Sequence, residues 1–192
     1  AADKVAYDQR RRYFRGKQLD SVMNYPIKNA IIDFVKYGNA QLFYDSVTDI
    51  YSSYPDFCSS VLMNILGTHD TERILTVLGG KNPEGYDNAA LSEFRMTDDE
   101  RKCGKKMLKM ASLLQFTLPG IPSIYYGDEA GMEGYHDPFC RFPYPWGRED
   151  VEMQSHYKTL CKIKGEEESL HSGSLNFVYK GETREVLNGI SF

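Results

Sequence analysis

Apolar residues fall along this chain in two alternating patterns. The first is a short run bounded by turn residues. Val61-Leu62-Met63-Asn64-Ile65-Leu66 is such a run, and Gly67 ends it. It is too brief for most helices and suits a strand buried on both faces, as in a parallel sheet. Leu19 to Tyr25 reads as a second strand, because Pro26 pushes Tyr25 towards extended geometry. Pro119-Gly120-Ile121-Pro122 makes a tight lead-in to a third, which runs to Tyr126. The pattern therefore predicts strands near 19–25, 61–66 and 121–126.

The second pattern has helical period. Ile27, Ala30, Ile31 and Phe34 mark one helix, stopped by Gly38-Asn39. Leu42, Val47 and Ile50 mark a looser one ending near Tyr51. Thr71 to Leu78 reads as the start of a third. Thr97-Asp98-Asp99-Glu100 is a capping box, since Thr97 can cap a helix whose Glu100 reaches back. That helix runs to about Thr117, and its stripe of Met107, Met110, Ala111 and Leu114 reads as core. Asp150 caps a last helix over roughly Val151 to Lys164.

Two long loops interrupt the alternation. Gly79 to Phe94 is rich in Gly, Asn and Asp, and loops of that length are usually functional or mobile. Gly127 to Arg148 carries His, Asp, Arg and Trp after a strand end, where a substrate wall is expected. The character changes from Gly173. Ser174 to Tyr179 and Arg184 to Ile190 read as hairpin strands around Lys180-Gly181-Glu182.

Composition narrows the function classes. A length of 192 residues is enough for one or two domains. The formal net charge of -4 argues against nucleic acid as a partner. The basic stretch around Arg10-Arg11-Arg12 is too short to change that and reads as solvated surface. No apolar run approaches the roughly 20 residues of a membrane span. Cys58, Cys103, Cys140 and Cys161 lack zinc-ligand spacing, so no metal and no cofactor is expected. Four free thiols fit a reducing compartment, so a cytoplasmic location is expected, with secretion as the alternative.

The candidate chemistry lies at the end of the Val61–Leu66 run, in Thr68-His69-Asp70. In an alternating barrel the C-terminal end of a strand is where chemistry sits. A carboxylate there accepts hydrogen bonds from hydroxyls, and an imidazole donates or accepts one. The competing reading makes Asp70 a helix N-cap and His69 an ordinary loop residue.

The segment Asn64-Ile65-Leu66-Gly67-Thr68-His69-Asp70-Thr71-Glu72-Arg73 resembles the seventh-strand motif of the α-amylase family of glycoside hydrolases, nearest the neopullulanase and cyclomaltodextrinase branch. Leu118-Pro119-Gly120-Ile121-Pro122-Ser123-Ile124-Tyr125-Tyr126-Gly127-Asp128-Glu129 resembles the eighth strand and its loop. Asp137-Pro138-Phe139-Cys140-Arg141, then Pro145-Trp146, resembles a substrate-contacting loop of that branch. The resemblance implies an α/β fold: part of a TIM (β/α)₈ barrel, about strands six to eight, over residues 1–172. The opening of a C-terminal β-sandwich is expected over 173–192. A whole barrel typically needs about 250 residues.

The same resemblance assigns roles. Asp70 matches the third carboxylate, which grips the distorted sugar ring. His69 matches the residue binding that sugar beside it. Asp137 and Arg141 match a pair contacting a sugar further along. Asn24 and Tyr25 are expected at the rim, or simply as a strand ending in turn residues; Asp128 and Glu129 as structural elements; and Arg73 on the helix, with support of the loop as its alternative. The nucleophile and the acid belong to strands four and five, and neither matches a residue here. The implied substrate is an α-glucan oligosaccharide, hydrolysed with retention by the parent enzyme, and the chain alone is expected to be inactive. Transglycosylation, isomerisation or a non-catalytic carbohydrate-binding module are the alternatives. Exposed barrel edges would favour a homo-oligomer.

Overall fold

The computed structural model describes residues 19–177. The basic stretch at Arg10-Arg11-Arg12 and the hairpin from Val178 onward lie outside them. Three chain segments run side by side and parallel. Strand β1, Met63–Ile65, is central and pairs with β2, Ile121–Ser123, in the register Met63 to Ile121 and Ile65 to Ser123. On its other side Met23 forms a single parallel bridge to Met63. Asn24 N donates to Met63 O at 2.8 Å, and Met63 N donates to Val22 O at 3.0 Å.

All three strands are shorter than the apolar runs that predict them. The first shrinks to one bridge because the helix α1, Tyr25–Tyr37, begins as soon as Asn24 can cap it. Asn24 Oδ1 accepts from Ile27 N at 3.4 Å, and Pro26 supplies a first-turn residue that needs no donor. Tyr25 is therefore the first helical residue rather than the end of a strand. Strand β2 stops at Ser123 because its partner stops at Ile65; Tyr125 and Asp128 then form a turn, Asp128 N to Tyr125 O at 3.1 Å.

The helices pack on one side of these segments. Helix α1 ends where Gly38 takes a left-handed conformation, φ 71°. Asn39 caps α2, Ala40–Ser53. One turn, α3, Asp56–Ser59, leads to β1. After β1 come α4, Ile74–Gly79, and α5, Asn88–Glu93. The long helix α6, Asp98–Thr117, opens on the expected capping box: Glu100 N donates to Thr97 Oγ1, and Thr97 N to Glu100 Oε2 at 2.7 Å. A 3₁₀ turn, Phe139–Arg141, precedes α7, Val151–Glu166, and α8, Ser169–Ser172. Residues 174–177 form no strand.

Helix α5 corrects the reading of 79–94 as one open loop; Asp87 caps it, accepting from Ala90 N at 2.8 Å. The core face of α6 also differs from the expected stripe. Gly104, Leu108, Ala111, Ser112 and Gln115 are buried, while Met110 is half exposed and Met107 and Leu114 lie at the margin. Ser112 Oγ donates to Leu108 O at 2.8 Å, whereas Gln115 Oε1 is buried without a donor among the described residues. Gln115 Nε2 donates to Asn64 O and to Ser123 O, both at 2.9 Å, and so bolts β1 to β2. Asn64 continues the ladder, receiving Asn24 Nδ2 at 3.3 Å and donating to Pro119 O at 2.9 Å.

Around this seam Ile27, Ile31, Val47, Ile50, Leu75 and Leu108 form one apolar cluster with β1's flanks. Helices α4 and α6 approach closely because glycine faces glycine. A Cβ on Gly79 would lie 2.6 Å from the Gly104 Cα. No described helix is long and apolar enough to cross a membrane. We expect Gly79→Ala to destabilise the fold by about 1–3 kcal/mol, since backbone must move to make room. Gly165→Ala, in α7 with open space around it, should instead gain about 0.5–1 kcal/mol. Urea unfolding of the two variants checks both signs.

Candidate active site

The C-terminal ends of β1 and β2 meet at a cluster of charged side chains. Beyond β1, Gly67 passes directly over the Asp128 carboxylate, where any Cβ would collide with Asp128 Oδ2. Thr68 then folds the chain back. Thr68 N donates to Thr71 Oγ1 at 3.1 Å, Thr71 N to Thr68 O at 3.3 Å, and Asp70 N to Thr68 Oγ1 at 3.2 Å. This turn delays the helix expected from Thr71, so α4 starts only at Ile74. Its N-cap position is Arg73, with no side-chain cap. The capping reading of Asp70 is therefore wrong: the carboxylate is free of helix duty and points outward, its side chain 62% exposed.

All four sequence-predicted site residues come together. His69 Nε2 lies 3.3 Å from Asp70 Oδ2. Arg141 Nη2 lies 3.5 Å from Asp70 Oδ1, and Arg141 Nε donates to Asp137 Oδ1 at 2.9 Å. The result is one continuous chain of alternating partners, His69–Asp70–Arg141–Asp137, crossing from the loop after β1 to the loop after β2. The 3₁₀ turn sets Arg141 in place, with Arg141 N donating to Pro138 O at 3.0 Å. Cys140, buried beside it, donates Sγ–H to His69 O at 3.3 Å and so ties the loops together a second time.

The support beneath this chain is buried and charged. Arg73 is fully buried, not on the helix surface as the sequence suggested. Its Nη1 lies 3.3 Å from Asp128 Oδ1 and also donates to Tyr126 O. Its guanidinium carbon stands 4.3 Å from the Tyr125 ring centre and 4.5 Å from that of Tyr126, within cation–π range. Burial pushes the Asp128 carboxyl up, to about 7, against the pull of Arg73. Burial likewise lowers the Lys28 ammonium, opposed by Asp128 and Glu72, and raises the Glu72 carboxyl. Lys28 and Glu72 thus lie within electrostatic reach of one another, and Lys28 of Asp128.

Asp128 and Glu129 are structural, as expected: Asp128 is buried against Arg73, and Glu129 accepts from Gly127 N at 2.8 Å to brace the turn. Asn24 does not line a rim; it is buried as cap and ladder member. Trp146 is 81% exposed, its ring 4.6 Å from that of Tyr144. Among the described residues no group of three His, Cys, Asp or Glu side chains could hold a metal ion. For Arg73 the alternative expectation, support of the loop, is the one its contacts match. Nothing in its spacing separates a buried arginine from a surface one.

Comparison with known proteins gives a consistent set of relatives. A family model described as the alpha amylase catalytic domain matches residues 3–173. An amylopullulanase of Thermoanaerobacter thermohydrosulfuricus is 36% identical over 191 residues, covering 91% of this chain and 12% of that protein. A cyclomaltodextrinase of Thermoanaerobacter pseudethanolicus is 36% identical over 171 residues, covering 87% of this chain and 26% of that one. A solved cyclomaltodextrinase structure superposes with a TM-score of 0.75 at 31% identity, over 92% of this chain and 27% of that chain. The chain spans about a quarter or less of the length of these relatives.

The exposed and buried pairs should respond differently to mutation. Arg141→Gln should change stability by less than about 1 kcal/mol, because exposed ion pairs contribute little. Asp128→Ala should cost about 3–5 kcal/mol, because it strands a buried guanidinium. Thermal unfolding of the two variants measures the contrast.

Proposed function

The chain belongs to the alpha-amylase catalytic-domain family, a family of TIM-barrel fold, and we propose on that footing that it is the substrate-gripping part of a retaining glycosidase acting on α-glucans. Its relatives include amylopullulanases and cyclomaltodextrinases. In this reading residues 1–172 are the last strands and helices of the barrel, and 173–192 begin a β-sandwich domain.

One observation carries the proposal. The His69–Asp70–Arg141–Asp137 chain lies at the C-terminal ends of parallel strands, the face on which barrel enzymes carry their chemistry. Retaining glycosidases place a nucleophile and an acid about 5 to 5.5 Å apart around the scissile bond, through an oxocarbenium-like transition state. Asp70 adds a third carboxylate. It accepts hydrogen bonds from ring hydroxyls and offsets positive charge developing at the anomeric carbon. His69 binds the same ring, and Arg141 with Asp137 holds a neighbouring sugar. The nucleophile and acid come from elsewhere in the parent protein.

In the whole protein, Asp70→Asn should remove most α-glucan hydrolysis at unchanged melting temperature. The amide keeps the size but loses the charge and turns an acceptor into a donor. The loss should be on the order of 3–4 kcal/mol of barrier, as for one preorganised contact elsewhere. A kcat within a factor of about three of wild type, under ~0.7 kcal/mol, would retire the assignment. Products from the whole protein separate hydrolysis from sugar transfer or isomerisation, and binding without products would identify a carbohydrate-binding module. The isolated chain should give no products from maltooligosaccharides or pullulan. It should also self-associate in light scattering through the edge carrying Ile121, which is 51% exposed. Turnover by the isolated chain, or a clean monomer, would count against this account.

A further inference from the structure

Asp70 and Arg141 sit on different loops, yet their side chains meet at 3.5 Å. Something must fix the distance between those loops, because both side chains are largely exposed and an exposed pair is too weak to do so. The candidates are few. The Cys140–His69 contact is a single weak thiol hydrogen bond. Arg73 makes several more crossings, beside Gly134 N to Thr76 Oγ1 at 2.9 Å and Tyr135 Oη to Lys81 O at 2.9 Å. Its backbone N donates to Gly134 O at 2.9 Å, binding the start of α4 to the loop that carries Asp137 and Arg141. Its Nη1 reaches Tyr126 O and Asp128, at the start of that same loop.

The pair is poorly built for stability alone. Arg73 Nε and Nη2 are buried with no acceptor among the described residues. A buried ion pair with unmet donors is often no better for stability than apolar residues of similar volume. Its geometry, however, spans both loops, with the guanidinium set against the adjoining rings of Tyr125 and Tyr126.

We propose that Arg73 is a positioning residue: it sets the separation of Asp70 from Arg141 and Asp137, so that one glucan is gripped by both loops at once. This rests on the glycosidase reading of the site. Arg73 touches no substrate and acts through Asp70 and Arg141.

The test is a double-mutant cycle in the whole protein, with kcat on a maltooligosaccharide and the melting temperature as readouts. Arg73→Lys keeps the charge against Asp128 but loses the planar fork. It should lower kcat on the order of tenfold to a hundredfold, as expected of a small misplacement of catalytic groups. In the Asp70→Asn background the same change should lower kcat by less than about twofold, because residues acting as a unit are not additive. The paired replacement Arg73→Met with Asp128→Leu is the second variant. It removes both buried charges, should fold, and should show the same loss of kcat.

A merely structural role predicts otherwise: a shifted melting temperature with kcat preserved below it, or equal factors in both backgrounds. Either result overturns the proposal. If Asp70→Asn abolishes activity while Arg73→Lys leaves kcat unchanged, this inference alone fails. If Asp70→Asn itself leaves kcat unchanged, the glycosidase reading fails and this one with it.

Discussion

Two three-residue strands and one bridge supply too few backbone hydrogen bonds to hold three segments in register. Side-chain amides complete the seam. Gln115, from the last turn of α6, donates to carbonyls of both β1 and β2, and Asn64 extends the ladder to Asn24 on one side and Pro119 on the other. Buried donors of this kind are specific, because each unsatisfied group in a dry interior costs free energy. They fix which residue of one segment lies beside which residue of the next. Everything at the strand ends, Gly67 and Asp70 from β1 and Asp128 from the chain beyond β2, inherits its position from that seam.

Below the amides the core is apolar and ordinary. Above them the molecule becomes increasingly charged, first buried, then exposed. Arg73, Asp128 and Lys28 form the buried tier, with Glu72 half-buried at its margin, and His69, Asp70, Arg141 and Asp137 form the open one. The order is physically sensible. The charges at the surface stay hydrated, while those that hold the frame are desolvated.

Features with a local cause were legible in the sequence. The capping box at Thr97 and Glu100 is a four-residue rule, and it forms as written. The His69-Asp70 and Asp137-Arg141 pairs were legible because short motifs carry them, and the fold brings them within contact. What could not be read depends on contacts distant in sequence. The buried face of α6 includes Gly104, Ser112 and Gln115, because α4 approaches too closely for larger side chains and β1 needs an amide. A hydrophobic stripe misses such residues by construction. The short α5 hides in a polar loop because only Leu91 of its residues is buried. Arg73 lies 55 positions from its carboxylate partner, and no periodicity points there.

The loop over residues 80–96 packs against the wall that carries Arg141. Leu91 joins Tyr135 and Phe139 in a small apolar cluster, with the Phe94 and Tyr135 rings 4.9 Å apart. Glu133 ties the same wall to Met96 N and Arg101. Asp70 takes no part in that cluster and follows β1 through Gly67 and the Thr68 turn. The two ends of the ion-pair chain therefore answer to different parts of the gene. Insertions, deletions or swaps in residues 80–96 can shift the Arg141 end of the chain of partners while the Asp70 end keeps its place, so the two halves of one charged surface are free to vary independently over a lineage.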